Sequence, residues 1–95
     1  MDMQFEWDEN KNKKNIQKHK VSFEEAKTCF YDDRARLIPD PDHSIKEERY
    51  ILLGISVNFR LLIVCHKYLE KLGIIRIFSS RKATKEEQRI YKEGD

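Results

Sequence analysis

Two apolar runs decide the fold: residues 49–57 (RYILLGISV) and residues 59–66 (FRLLIVCH), separated only by Asn58. Both are near-continuous, rich in β-branched side chains and too short for core helices, which is the pattern of strands in the middle of a sheet. With so little chain between them they pair antiparallel through a tight turn. Gly73 then interrupts before residues 74–78 (IIRIF), a third run of the same kind. Upstream, residues 34–38 (RARLI) read as a fourth strand, stopped by Pro39 and Pro41 within PDPDH, because proline fixes φ and removes a backbone donor. The sheet is expected to be an antiparallel meander of about four strands.

Helices are expected on either side of it. Asp8 is placed to cap a short, basic first helix in which Ile16 is the only aliphatic residue. Ser22 and Glu25 form an S-x-x-E capping box ahead of Ala26, Cys29 and Phe30, an apolar stripe that ends near Tyr31 and packs into the core. Phe5 and Trp7 are expected to pack under the first helix. Thr84 and Glu87 form a second capping box, opening a closing helix through Gln88, Ile90 and Tyr91. The sum is an α+β fold with two N-terminal helices, an antiparallel sheet and a C-terminal helix.

At 95 residues and 39% apolar, residues 1–95 supply one small core and read as a single domain. No apolar run approaches the roughly 18–20 residues needed to span a bilayer, and residues 1–8 lack the basic and apolar regions of a secretory signal. Cys29 and Cys65 stand 36 residues apart with no second pair nearby, which gives neither a disulfide framework nor zinc spacing and points to a reducing cytoplasm. The formal net charge of +2 conceals segregation, since residues 11–20 (KNKKNIQKHK) hold five lysines, one histidine and no acid. Between residues 76 and 92, Arg76, Arg81, Lys82, Lys85, Arg89 and Lys92 face only Glu86 and Glu87. Where such segments meet in a fold they make a surface for phosphates; ordinary solvated helix faces are the alternative.

Several chemistries are excluded by missing signatures. There is no GxxxxGK[ST] or GxGxxG loop, and His19, His43 and His66 are scattered without an HExxH or a cysteine pair. Cys65, in mid-strand, reads as an inert core thiol, and His66 as a residue at the strand rim. His19 reads as a partner of the first helix's C-terminal carbonyls. What remains is arginine on strands: Arg60, Arg76 and Arg81 lie among apolar residues, and a guanidinium there needs an anion. That anion is either a carboxylate, with Glu47, Glu48 and the aspartates of residues 32–42 as candidates, or a phosphate, which the guanidinium fork suits bidentately. RNA cleavage needs a base for the 2′-hydroxyl, cations for the phosphorane and an acid for the 5′-oxygen. His43 with Glu47 or Glu48 can move the protons, and Arg60, Arg76 and Arg81 can supply the cations.

Four stretches together resemble one family: residues 5–26 (FEWDENKNKKNIQKHKVSFEEA), residues 43–56 (HSIKEERYILLGIS), Arg60 with its apolar run, and residues 75–91 (IRIFSSRKATKEEQRIY). They resemble the BrnT ribonuclease toxins of type II toxin–antitoxin systems, which have a RelE-like fold. The resemblance implies a cytoplasmic endoribonuclease that cuts RNA without metal or cofactor and blocks translation. It also implies a BrnA-like ribbon-helix-helix antitoxin that neutralises the toxin in a hetero-oligomer and carries the contact with operator DNA. Matched residue by residue, it points to His43, Glu48, Arg60, Arg76 and Arg81 as catalytic, and to Lys14, Lys18, Arg49 and Lys82 as RNA-binding. Two departures stand out: Asn58-Phe59-Arg60 where the family often has Gly before the arginine, and Ser79-Ser80-Arg81-Lys82 where it commonly reads S-A-R-K. A non-catalytic module that binds RNA or protein through the same basic face is the alternative.

Overall fold

The computed structural model describes residues 3–40 and 48–94. Strand β1 (Gln4–Glu6) precedes helices α1 (Glu9–His19) and α2 (Phe23–Thr28), the latter running into a 3₁₀ turn at Cys29–Tyr31. Strands β2 (Arg36–Pro39), β3 (Tyr50–Ile55), β4 (Leu61–Leu69) and β5 (Ile74–Lys82) follow, and α3 (Lys85–Glu93) comes last. The sheet order is β1-β5-β4-β3-β2. Strands β2 to β5 form the expected antiparallel meander, but β1 adds to β5 in parallel. Among the described residues the sheet is therefore five-stranded and mixed.

Local pattern could not announce β1, because three residues show no periodicity; long-range contacts hold it. The Phe5 ring meets Phe30 edge-on at 5.3 Å, and Glu6 accepts a hydrogen bond from Arg76 at 2.6 Å. Strand β5 likewise runs beyond Phe78 into the polar Ser-Ser-Arg-Lys stretch, pairing with β4 as far as Lys82 opposite Leu62. Pro39 is tolerated within β2 because β2 is an edge strand. The Pro41 to His43 part of the expected loop lies outside the described residues.

One face of the sheet carries the main core. Val21, Phe23, Ala26 and Cys29 from the helical layer pack on Leu52, Leu62, Val64 and Ile77. Alternation sends Leu53 and Ile63, which face each other across β3 and β4, to the opposite face. Gly54 lets the 3₁₀ turn approach β3 closely, since a Cβ there would lie 3.0 Å from the Cys29 carbonyl oxygen. His66 is a core residue rather than a rim residue, only 4% exposed. It is boxed by the Phe30 ring at 4.8 Å with Nδ1 3.0 Å from the Val64 carbonyl oxygen, and burial pushes its pKa down. Trp7 packs edge-on against Phe23 of α2. Among the described residues no helix is long and apolar enough to cross a membrane.

Helix α1 is held by two buried asparagines. The Asp8 carboxylate caps it, accepting from Asn10 N–H at 2.8 Å and Lys11 N–H at 3.3 Å. The Asn12 side-chain oxygen accepts from Phe23 N–H at 2.8 Å, starting α2. The Asn15 amide donates at 2.8 Å to both the Val21 and Ser80 carbonyls and accepts from Ser80 N–H at 3.1 Å. Asn15 thus acts as a neighbouring strand for β5 beyond the reach of β1. Removing it strands three buried backbone groups, at roughly 1 kcal/mol or more each. Asn15→Ala is expected to lower unfolding free energy by about 3 kcal/mol in urea titration; a loss under about 0.5 kcal/mol contradicts this role.

Candidate nucleic-acid interface

With Asn12 and Asn15 facing inward, the spacing of three and four residues lines Lys11, Lys14 and Lys18 along the neighbouring face of α1. The Asn15 clamp lays that row beside β5. Lys11, Lys14, Asn15, Lys18 and His19 line one wall of a groove of about 210 Å³, and Phe78 and Ser79 line the other. Phe78 is the extra residue of a β-bulge: Cys65 pairs with Ser79 and His66 with Ile77, which leaves Phe78 without a partner on β4. Its ring holds two cations, the Arg49 guanidinium 4.0 Å and the Lys11 ammonium 5.7 Å from the centroid.

The groove opens onto the sheet face that points away from the main core. On β4 that face carries Ile63, Cys65 and Lys67, whose cross-strand partners on β5 are Arg81, Ser79 and Arg76. Arg76 and Arg81 thus share a face with Phe78 and Arg49 between them. Arg76 is paired with Glu6 at 2.6 Å. Arg81 forks onto Glu87, with both hydrogen bonds 2.9 Å. Glu87 also completes the expected Thr84 capping box, accepting from Thr84 N–H at 2.8 Å. The Arg81 hydrogen bonds, against the opposing effect of burial, hold the Glu87 carboxyl at about 2.

Arg60 lies on the other face. Its Nε donates to Glu25 at 2.9 Å, and its Nη2 bonds the second Glu25 oxygen and the Lys20 carbonyl. Only half of the expected Ser22 capping box forms. Ser22 accepts from Glu25 N–H at 3.0 Å, while the Glu25 carboxylate turns to Arg60 and to the Ser56 hydroxyl at 2.6 Å. The carboxylates on the three strand arginines are therefore Glu25, Glu6 and Glu87. Among the described residues, the candidates named from sequence, Asp32, Asp33, Asp40 and Glu48, do not form these pairs.

The remaining candidates fall as follows. Lys14 and Lys18 line the groove, and Arg49 stacks on the Phe78 ring that forms its other wall. Lys82 is exposed at the end of β5, apart from the groove. Glu48 is exposed, in left-handed backbone at φ 51°, immediately before Arg49. His43 and Glu47 lie outside the described residues. Cys65 is no nucleophile at neutral pH: burial, then the Asp40 carboxylate 3.5 Å away, push its thiol up to about 11. Among the described residues no cluster of His, Cys, Asp and Glu is arranged to hold a metal ion. The sequence reading gave no role to Lys11, Phe78 or the inward asparagines, Lys11 and Asn15 entering it only within the family match; the 11/14/18 spacing was the available signal for the row.

The family model described as ribonuclease toxin, BrnT, of type II toxin–antitoxin system matches residues 7–87. The chain belongs to the BrnT family. The match runs from Trp7 to Glu87 and so takes in the basic row, the groove and the Arg81–Glu87 clamp. Among solved structures, the crystal structure of the Brucella abortus BrnT ribonuclease toxin is similar, with a TM-score of 0.68 and 23% identity. That similarity covers 88% of this chain and 100% of the other, and it shows a shared BrnT fold. No curated protein matches the chain.

The Arg60–Glu25 pair sets a pH dependence of its own. The Arg60 hydrogen bonds, opposed by burial and helped by Ser56, bring the Glu25 carboxyl from 4.5 to about 2. A carboxylate lowered by folding stabilises fully above its unfolded pKa, and that contribution is lost as pH falls through the folded one. Arg60→Ala is expected to cost about 3 kcal/mol at pH 7, because it leaves a buried carboxylate unpaired. The gap from wild type should close as pH falls from about 4.5 toward 2. Urea titrations of both proteins across that range check this; a gap that stays constant to pH 2 contradicts it.

Proposed function

We propose that this chain is a metal-independent endoribonuclease that inhibits translation when it is unopposed. The observation that carries the reading is the succession of cations from the Lys11, Lys14 and Lys18 row, over Arg49 on Phe78, to the sheet face bearing Arg76 and Arg81. Cations spaced along a groove track a phosphate backbone without reading sequence. Lys14, Lys18 and Arg49 hold the strand, and Lys82 meets a phosphate at its periphery. Arg76 and Arg81 take the charge that develops on the phosphorane. In this scheme Glu48 and His43 exchange the protons. One removes the proton of the 2′-hydroxyl as O2′ bonds to phosphorus; the bond to O5′ breaks and the other protonates it, leaving a 2′,3′-cyclic phosphate and a 5′-hydroxyl. Arg60 contributes from behind the sheet, by fixing the β3–β4 turn on Glu25.

The toxin–antitoxin family supports a protein partner as well. In this reading a BrnA-like ribbon-helix-helix antitoxin holds the toxin inactive in a cytoplasmic hetero-oligomer and supplies the contact with operator DNA. The carboxylates on Arg76 and Arg81 favour one rival, a module that binds RNA without cutting it. One assay separates the two: the purified chain incubated with RNA in excess EDTA. Cyclic-phosphate product is expected from wild type, and a loss of at least about 100-fold from a folded Arg81→Ala, the magnitude of removing one charge-stabilising donor. A complex with RNA that gives no product establishes the rival. Undiminished cleavage by folded Arg81→Ala removes Arg81 from the site.

A further inference from the structure

The exposed side chain at the tip of the β3–β4 turn, Phe59, has no part in the RNA reading. The β3–β4 turn is closed by hydrogen bonds from Ser56 N–H to the Arg60 carbonyl at 2.8 Å and from Phe59 N–H to the Ser56 carbonyl at 2.9 Å. This geometry puts Phe59 at φ 62°, a left-handed conformation that glycine adopts freely and a bulky aromatic adopts only against strain. The strained conformation gains no packing, because Phe59 is 90% exposed. Val57 and Tyr31 beside it are 66% and 60% exposed, making an unusually apolar surface for so small a chain. A strained backbone that presents an aromatic to solvent is the kind of feature kept for binding.

The ligand's chemistry follows from the groove beside this tip. An apolar groove of about 680 Å³ runs between Tyr31, Val57 and Phe59, bounded by Asp32, Arg34 and Tyr91, with the Asp32 carboxylate engaged by the Tyr91 hydroxyl. Arg34 and Tyr91 also line the next groove, where Arg34, Arg36 and Lys92 stand against Asp33. One surface thus passes from apolar to cationic and shares no lining residue with the α1 groove. A regularly charged phosphate backbone fits it less well than a peptide, because Asp32 and Asp33 line it beside Arg34, Arg36 and Lys92. A second copy fits it poorly too, because two-fold pairing sets the cationic end against itself or against the apolar tip. A peptide segment with apolar anchors and acidic neighbours complements both ends.

We propose that the β3–β4 tip and the adjoining cationic groove receive an acidic, amphipathic segment of the antitoxin, with Phe59 as the central anchor. The proposal rests on the toxin–antitoxin reading above. The probe is the antitoxin itself, defined as the protein whose co-expression restores growth to cells expressing this chain. Its affinity for wild type, Phe59→Gly, Val57→Asp and Arg34→Glu is measured by calorimetry, beside the melting temperature, RNA cleavage and oligomeric state of each free chain. Phe59→Gly is expected to melt at or above the wild-type temperature, to cleave RNA within about twofold of wild type and to bind the antitoxin about 30-fold more weakly, a central-anchor effect. Val57→Asp and Arg34→Glu should weaken binding in the same direction, and they carry the test if the glycine variant fails to fold. Unchanged affinity in the folded variants overturns the proposal. So does loss of RNA cleavage in place of antitoxin affinity, or a wild-type homodimer that the variants break. If wild type cuts no RNA, the ribonuclease reading fails while the affinity comparison still decides the docking site.

Discussion

A single buried side-chain amide, that of Asn15, decides where the charge of this protein is displayed. Beyond Arg76 the outer edge of β5 has no strand to pair with, and unpaired edge groups must be covered or solvated. Asn15 offers a donor and an acceptor to the same residue, Ser80, as a strand would, while its second donor hydrogen satisfies Val21 where α1 turns toward α2. Because that contact fixes the rotation of α1, it also fixes where the lysines three and four residues away must point. The groove between α1 and β5 follows from covering an edge.

The arginines show a second economy. Two occupy glutamates at the third position of a helix, Glu25 in α2 and Glu87 in α3, and the third occupies Glu6 in β1. Each pair therefore joins a flanking element to the β3–β5 region. Their energies differ with exposure. Arg60 meets a buried carboxylate and contributes mainly to stability. Arg76 and Arg81, with 38% and 40% of their side-chain surfaces exposed, gain little from their partners in water. They keep a face toward solvent on the side of the sheet away from the main core. A phosphate arriving there competes with a weak pair, whereas one arriving at Arg60 would have to uncover a buried glutamate.

Sequence revealed what periodicity encodes. The apolar runs at β3, β4 and the start of β5, the Asp8 and Thr84 caps and the apolar stripe of α2 are all local patterns, and all are present. Strand β1 is too short for a pattern, and residues 79–82 look like a loop until Asn15 is found beside Ser80. The same limit applies to the site. That Arg60, Arg76 and Arg81 need anions follows from chemistry alone, but alternation across a bulged strand and the side of the β3–β4 turn decide which of them share a face. Phe78 was hidden because its place in the groove comes from the bulge, a feature of pairing rather than of composition. The left-handed Phe59 was visible only as a departure from glycine.

The account's central claim is that RNA and protein partners address separate surfaces of this small fold, with no lining residue in common. Chemical-shift mapping with an RNA oligonucleotide carrying 2′-deoxy sugars, which binds without being cut, tests it directly. Perturbations are predicted at Lys11, Lys14, Lys18, Arg49, Phe78 and Arg76, with Tyr31, Val57, Phe59 and Lys92 unmoved. Shifts concentrated on Phe59 and Val57, with the α1 row silent, would contradict it.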